Sequence, residues 1–327
     1  MRPATRTMGD VNGGEMAGSG LKAGDLVEIR SAEEIFATLD DDGCLDRLPF
    51  MAEMLRFCGK RLRIASVAHK TCDTIHKTGC RSMTGTVHLE GLRCDGSAHG
   101  GCGAQCLLFW KESWLKPVAA GAAAPTESPA PAPFLERLER AAHRPSDPEA
   151  WRCQATQLFE ASEPLQWWDP RQYLRDLLSR NVGPWVMVKT MLLAAFNIQQ
   201  RWRGGRVFPV VNGMLKKTPV ERLDLAPGEL VQVKSKEEIV ATLDEGNKNR
   251  GMLFDPEMLP NCGKTFRVGA RVERIINERT GKMMKLPNEC IILDGVACKG
   301  IYSRNRLFCP RAITPYWREI WLRRIPR

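Results

Sequence analysis

The 327 residues suffice for two or three domains, and with 43% of them hydrophobic each domain can bury its own core, so folding does not require covalent staples. Lys and Arg number 48 against 38 Asp and Glu, a formal net charge of +10, so the surface attracts acidic partners: nucleic acid, an acidic redox protein or an acidic carrier protein. No stretch reaches the roughly eighteen apolar residues of a membrane span, and MRPATRTMGDVNGGEMAGSG lacks the apolar core of a secretory signal, so residues 1–20 read as the disordered N-terminus of a cytoplasmic protein.

From Gly24, GDLVEIRSAEEIFATLD predicts a Gly-Asp turn into a strand, then a short helix capped by Ser31, acidic in its first turn and ending near Leu39. RLRIASVAHK and GTVHLEGLRC read as further strands. The opening stretch returns 204 residues later as GELVQVKSKEEIVATLD, identical at 11 of 17 positions. That offset holds from Cys58-Gly59-Lys60 against Cys262-Gly263-Lys264 to Cys94 against Cys298, and WKESWL from Trp110 recurs as WREIWL from Trp317. TFRVGARVERII and ECIILDGVAC are then the second copy's strands. The expected fold is mainly β with α: two SH3-like small β-barrel repeats, 21–118 and 223–327, joined by an Ala/Pro-rich linker (119–147) and an α-helical insert (148–222).

Within the insert, Asp169-Pro170 is a helix start, with Tyr173, Leu174, Leu177 and Leu178 forming an apolar stripe. Pro184 opens a second helix, WVMVKTMLLAAFNIQQRW, apolar almost all round. It is too short and too interrupted by Lys189 to span a bilayer, and reads as a buried helix rather than one on a membrane surface.

Twelve cysteines in a reducing cytosol point to metal ligation or catalysis rather than disulfides. Cys58 and Cys262 occupy equivalent turns and read as small buried hydrophobes, while Cys44 and Cys80 have no counterpart in the second copy and read as bystanders. The first copy keeps Cys72, Cys94, Cys102 and Cys106, a four-thiolate complement in which CDGSAHGGCGAQC supplies glycines that let the backbone fold tightly around an ion. His99 in that loop is placed to replace a thiol or to hydrogen-bond one.

The second copy offers Cys290, Cys298 and Cys309, and no histidine lies in it. Cys153, at the edge of the insert, is the expected fourth ligand, giving Cys153, Cys290, Cys298 and Cys309. Cys290 aligns with Thr86 rather than with Cys72; a hairpin turning near Gly79 would set positions 72 and 86 opposite each other, so the ligand could cross it without moving the metal.

Zinc sites hold their thiols in close pairs, and the chain has no C-x2-C, so two iron–sulfur clusters are favoured over two zinc ions. The glycine loop is followed by strand-like LLFW rather than a helix, which excludes a phosphate loop, and no GxSxG or HExxH is present. Asp73, Glu90 and Asp95 read as solvated carboxylates. These features describe a metalloprotein acting as redox or accessory partner of another enzyme. Two alternatives stay open: a zinc-stapled module binding nucleic acid or a protein, and an enzyme with an open metal or cluster site; Trp110, Trp114, Trp317 and Trp321 could stack bases in the first, although their four-residue spacing beside LL and IL reads more as core.

GDLVEIRSAEEIFATLD, LPFMAEMLRFCGK, TVHLEGLRCDGSAHGGC and CPRAITPYWREIWL together resemble a family of bacterial proteins with this duplicated pattern, over nearly the whole chain beyond residue 20. The resemblance implies association with biosynthetic enzymes and gives no residue a role.

Overall fold

The computed structural model describes residues 20–118, 132–303 and 305–326. Residues 1–19 of the expected disordered segment and the start of the expected linker, through residue 131, lie outside the described residues. The chain is mainly β with several helices.

Strand β1 (Leu26–Ile29) buries Val27 and Ile29 on one face, and Ser31 and Glu34 close a capping box at the start of helix α1 (Ala32–Phe36). Strands β2 (Arg61–Val67), β3 (Thr86–Arg93), β4 (Leu107–Lys111) and β5 (Leu115–Pro117) complete an antiparallel sheet of order β4-β3-β2-β1-β5. The edge strands β4 and β5 are separated in sequence only by the turn Glu112–Trp114, so the sheet curls until its edges approach. Trp110 and Trp114 fill the resulting core, and the Trp114 indole donates to Thr38 Oγ1 at 3.0 Å.

The second sheet repeats this arrangement with β6 (Leu230–Val233), β7 (Thr265–Arg271), β8 (Ile291–Leu293) and β9 (Leu322–Arg324) in the order β8-β7-β6-β9. Leu26 pairs with Arg63 and Leu230 with Arg267; Ile64 pairs with Leu89 and Val268 with Leu293, so the registers match at the sequence offset. Helix α6 (Lys236–Val240) has the same capping box, and Trp321 donates to Thr242 Oγ1 at 3.0 Å. All four tryptophans proposed as base-stacking platforms are fully buried, which removes them from any nucleic-acid surface.

Part of the expected linker is helical. In α2 (Ala132–Ala141), Phe134 stacks on Phe36 with centroids 3.9 Å apart, and Leu138, one turn on, enters the first core. Their four-residue spacing is the helical signal that the alanine and proline content masked. Helix α3 (Gln154–Gln157) follows Cys153. Its Gln154 side chain accepts from the Phe109 N–H at 2.9 Å and donates to the Phe109 carbonyl at 2.8 Å, satisfying the exposed edge of β4.

The next two helices are turned opposite to expectation. Helix α4 (Pro170–Leu178) buries Gln172 and Asp176, and its apolar Leu174 and Leu178 face outward. The cause is Lys70, which is fully buried and needs the Asp176 carboxylate at 2.6 Å and the Gln172 amide at 3.3 Å. Helix α5 (Pro184–Trp202), read as buried, buries only Thr190 and Asn197 among its described side chains. Hydrophobic content alone does not distinguish a helix covered by its own chain from one covered by something else.

Two hairpins join the halves. The first (Lys70–Cys72 with Cys80–Ser82) leaves the first sheet and packs on the second half: the Cys80 N–H donates to the Asn305 carbonyl at 3.1 Å, and Arg311 Nη1 donates to the Cys72 carbonyl at 3.2 Å. The second (Arg274–Ile276 with Met283–Lys285) reaches back: the Gly103 N–H donates to the Arg274 carbonyl at 3.0 Å, and Trp151 to Gly281 at 2.8 Å. Each half thus lends its hairpin to the other.

Candidate metal centre

Cys94 opens the loop after β3, and its N–H donates to the Cys106 carbonyl at 2.8 Å, closing residues 94–106 into a compact loop. Gly96 makes that closure possible. It has φ +73°, and a Cβ there would lie 2.1 Å from the Cys102 carbonyl oxygen. Cys94, Cys102 and Cys106 line one small cavity of about 40 Å3, and the fourth thiol on it is Cys153, brought in by the N-terminus of α3. The lent hairpin covers this group: the Ile276 N–H donates to Cys102 Sγ at 3.3 Å. Burial, with the neighbouring Cys153, Glu278 and Cys102, pushes the Cys106 thiol up to about 12 against the opposing pull of Arg311; burial and Cys102 push Cys153 up to about 11.

Beside this group lies a carboxylate–imidazole pair. Cys94 Sγ donates to Glu53 Oε1 at 3.0 Å, and His99 Nδ1 is 3.2 Å from the same oxygen, with both side chains inaccessible or nearly so. Burial opposes ionisation of Glu53, but His99 and Cys94 outweigh it and hold its carboxyl below the usual range. Among the described residues these are the only three ligand-type side chains whose donor atoms all lie within 4.8 Å of one another.

The second thiol group is built across the halves. Cys72 and Cys80, paired in the first hairpin, cluster with Cys309, which exchanges side-chain hydrogen bonds with both; Leu165 and Ile313 pack around them. Cys298 lies beside this cluster: its N–H donates to the carbonyl of Ile313, which packs on the cluster, at 2.8 Å. Burial, with Glu257 and the nearby Cys72, pushes the Cys298 thiol up to about 12. The bond with Cys72 lowers Cys309 while that with Cys80 and burial raise it, leaving it at about 12.

The eight expected ligands are therefore regrouped. Cys94, Cys102 and Cys106 stay together, but Cys153 joins them instead of the second set. Cys72 joins Cys298 and Cys309 together with Cys80, which the sequence left as a bystander. Cys290 packs apart from both groups, against Val272 and Ile292 and under Arg318. The expected hairpin turn near Gly79 lies earlier. Asp73 accepts from the N–H groups of Ile75, His76 and Thr78, ordering residues 73–79 as the turn, so Cys72 pairs with Cys80 and Thr86 with Lys111. The same bonds assign Asp73 a structural role, and Asp95 caps Ser97 while pairing with Arg56 at the surface.

Arg311 lies buried between the groups. It donates to the Cys72 carbonyl and to Thr74 Oγ1 at 2.9 Å, and pairs with Glu278 at 2.7 Å, while its charge is felt by both Cys72 and Cys106. A larger cavity of about 630 Å3 opens between the halves and touches one thiol of each group, Cys106 and Cys298; Met258, Ile313, Tyr316 and Arg306 form parts of its wall. Comparison with known proteins finds no matching family model, no matching curated protein and no matching solved structure.

Proposed function

We propose that the chain is a duplicated iron–sulfur protein that serves as a redox or accessory partner of a biosynthetic enzyme. Cys94, Cys102, Cys106 and Cys153 would hold one cluster, and Cys72, Cys80, Cys298 and Cys309 the other. Each half is read as an SH3-like barrel, on the support of the curled sheets and matching registers.

The observation that carries the reading is the spacing of the first group's thiols; in the second group Cys309 lies within hydrogen-bonding reach of both Cys72 and Cys80. A tetrahedral zinc about 2.3 Å from each ligand would hold its sulfurs roughly 3.8 Å apart. Among the described residues no three thiols lie within 4.8 Å of one another. The first group instead lines a cavity of about 40 Å3, with His99 and Gln154 also on its wall, so its thiols stand apart around open space, an arrangement that suits a multi-atom cluster better than a bare ion. Bound clusters would supply one-electron transfer. The Ile276 amide on Cys102 and the Arg311 cation beside both groups stabilise thiolate ligands and raise a reduction potential, against burial, which by itself favours the neutral thiols. The net charge of +10 favours an acidic docking partner, and a cytoplasmic setting is consistent with the free thiols.

Glu53, Cys94 and His99 support a second reading, a single zinc held by this trio. It leaves the second thiol group unexplained, whereas Glu53 and His99 also serve as hydrogen-bonding neighbours of a cluster ligand. Reduction tests the proposal. Dithionite added to anaerobically purified protein should bleach a broad visible band; a protein with no visible band to bleach contradicts it.

A further inference from the structure

Among the described residues, thirteen of the nineteen large hydrophobic side chains that are exposed fall within residues 167–220. They are organised rather than scattered. On α5, Trp185, Val188, Leu192 and Phe196 recur at spacings of three and four, forming one face of a 19-residue helix about 28 Å long. Trp185 and Trp202 mark its two ends at 81% and 86% exposure. The neighbouring α4 points Leu174 and Leu178 outward while its polar side chains are buried, and Trp167 and Trp168 precede it. Contiguous exposed apolar surface of this kind marks a contact with something outside the folded chain.

The remaining sequence cannot supply the cover. Residues 1–19 and 119–131 contain Met1, Met8, Val11 and Met16 as their only large apolar side chains. Charge selects among external occupants. Residues 167–220 carry nine Lys and Arg against two acids, and both acids are committed: Asp169 caps α4 and pairs with Arg171, and Asp176 is buried on Lys70. A second copy would set this basic surface against itself. An apolar helical face with Trp185 at one end and Trp202 flanking the other, in a segment that carries nine cations and only committed carboxylates, is what the interface of an anionic bilayer accommodates.

We infer that α5 and the outward face of α4 seat the protein on an anionic lipid surface, lying in the headgroup region without crossing it; no described helix is long and apolar enough to cross a membrane. The site is independent of the thiol groups. Full-length protein would be sedimented with vesicles of phosphatidylglycerol and phosphatidylcholine in equal parts, and with phosphatidylcholine alone. Binding to the anionic vesicles should be at least about tenfold tighter and weaken with salt. Trp185→Ser with Trp202→Ser should reduce it at least about tenfold at unchanged circular dichroism. The inference is overturned if the protein ignores anionic vesicles, if the double variant binds as well as wild type, or if sedimentation velocity shows a dimer that Leu192→Glu dissociates. That last outcome would assign the ridge to a second copy, and indifference to vesicles would leave it to a protein partner.

Discussion

The backbone N–H of Ile276 donates to the sulfur of Cys102 at 3.3 Å, joining residues 174 positions apart. Ile276 stands, at the repeat offset, where the first half has Cys72, and Cys72 itself packs on Cys309 of the second half. Equivalent strands of the two hairpins therefore contact opposite thiol groups: the first half lends thiols to the second group, and the second half lends a backbone donor to the first.

The grouping gives a sharp expectation for double variants. Cys94→Ser with Cys153→Ser should remove one centre and halve the iron, whereas Cys94→Ser with Cys298→Ser should remove both. Cys80→Ser should cost the second centre, and Cys290→Ser should leave the metal content unchanged. Iron analysis of the four proteins checks this; loss on Cys290→Ser with retention on Cys80→Ser would restore the grouping expected from sequence.

Gly96 and Gly91 share φ +73° but differ in surroundings. Gly91→Ala meets nothing within 4 Å and should cost only the left-handed backbone penalty, about 1–2 kcal/mol, with both centres retained. At Gly96, alanine collides with the Cys102 carbonyl and should disrupt the first centre alone. Unfolding midpoints together with iron content separate the two effects.

Arg311→Leu should destabilise the protein by about 2–3 kcal/mol. It removes a nearly inaccessible cation and leaves Glu278, a quarter exposed, without its 2.7 Å partner, so the cost falls below that of a fully buried pair. Because Arg311 also ties the first hairpin to the second half, cooperative guanidinium unfolding should broaden. An unchanged midpoint would show that the hairpin contacts alone hold the halves together.

His88 is fully buried, its Nδ1 2.8 Å from the Leu108 carbonyl, and burial pushes its pKa down to about 4. Its pKa in the unfolded chain is about 6.5, so on acidification the unfolded state takes up the proton first. The stability is complete above pH 6.5 and is lost as the pH falls towards 4. Between pH 7 and 5 this single group should cost about 2 kcal/mol, which His88→Gln should abolish in urea titrations. Parallel pH profiles for the two proteins would contradict it.

Much of the fold is legible in sequence because its determinants are local. The Ser31 and Ser235 capping boxes, the strand after each Gly-Asp or Gly-Glu turn and the buried Trp pairs all follow from neighbouring residues. Cys94, Cys102 and Cys106 are legible for the same reason. Cys80 and Cys153 are not, since their positions depend on the turn that Asp73 orders and on how α3 packs against β4. The Cys72-x7-Cys80 spacing around a turn was the available signal for a cross-hairpin pair. The outward faces of α4 and α5 were hidden for a different reason: Lys70 takes the polar side of α4 inward, a choice made 100 residues away.

The most direct test of the central claim is quantification of iron, acid-labile sulfide and zinc on one anaerobically purified sample of the full chain. Equal iron and sulfide, in the amount of two clusters per chain and with little zinc, is the predicted result. A colourless protein carrying about two zinc ions, or one with neither metal, would contradict it.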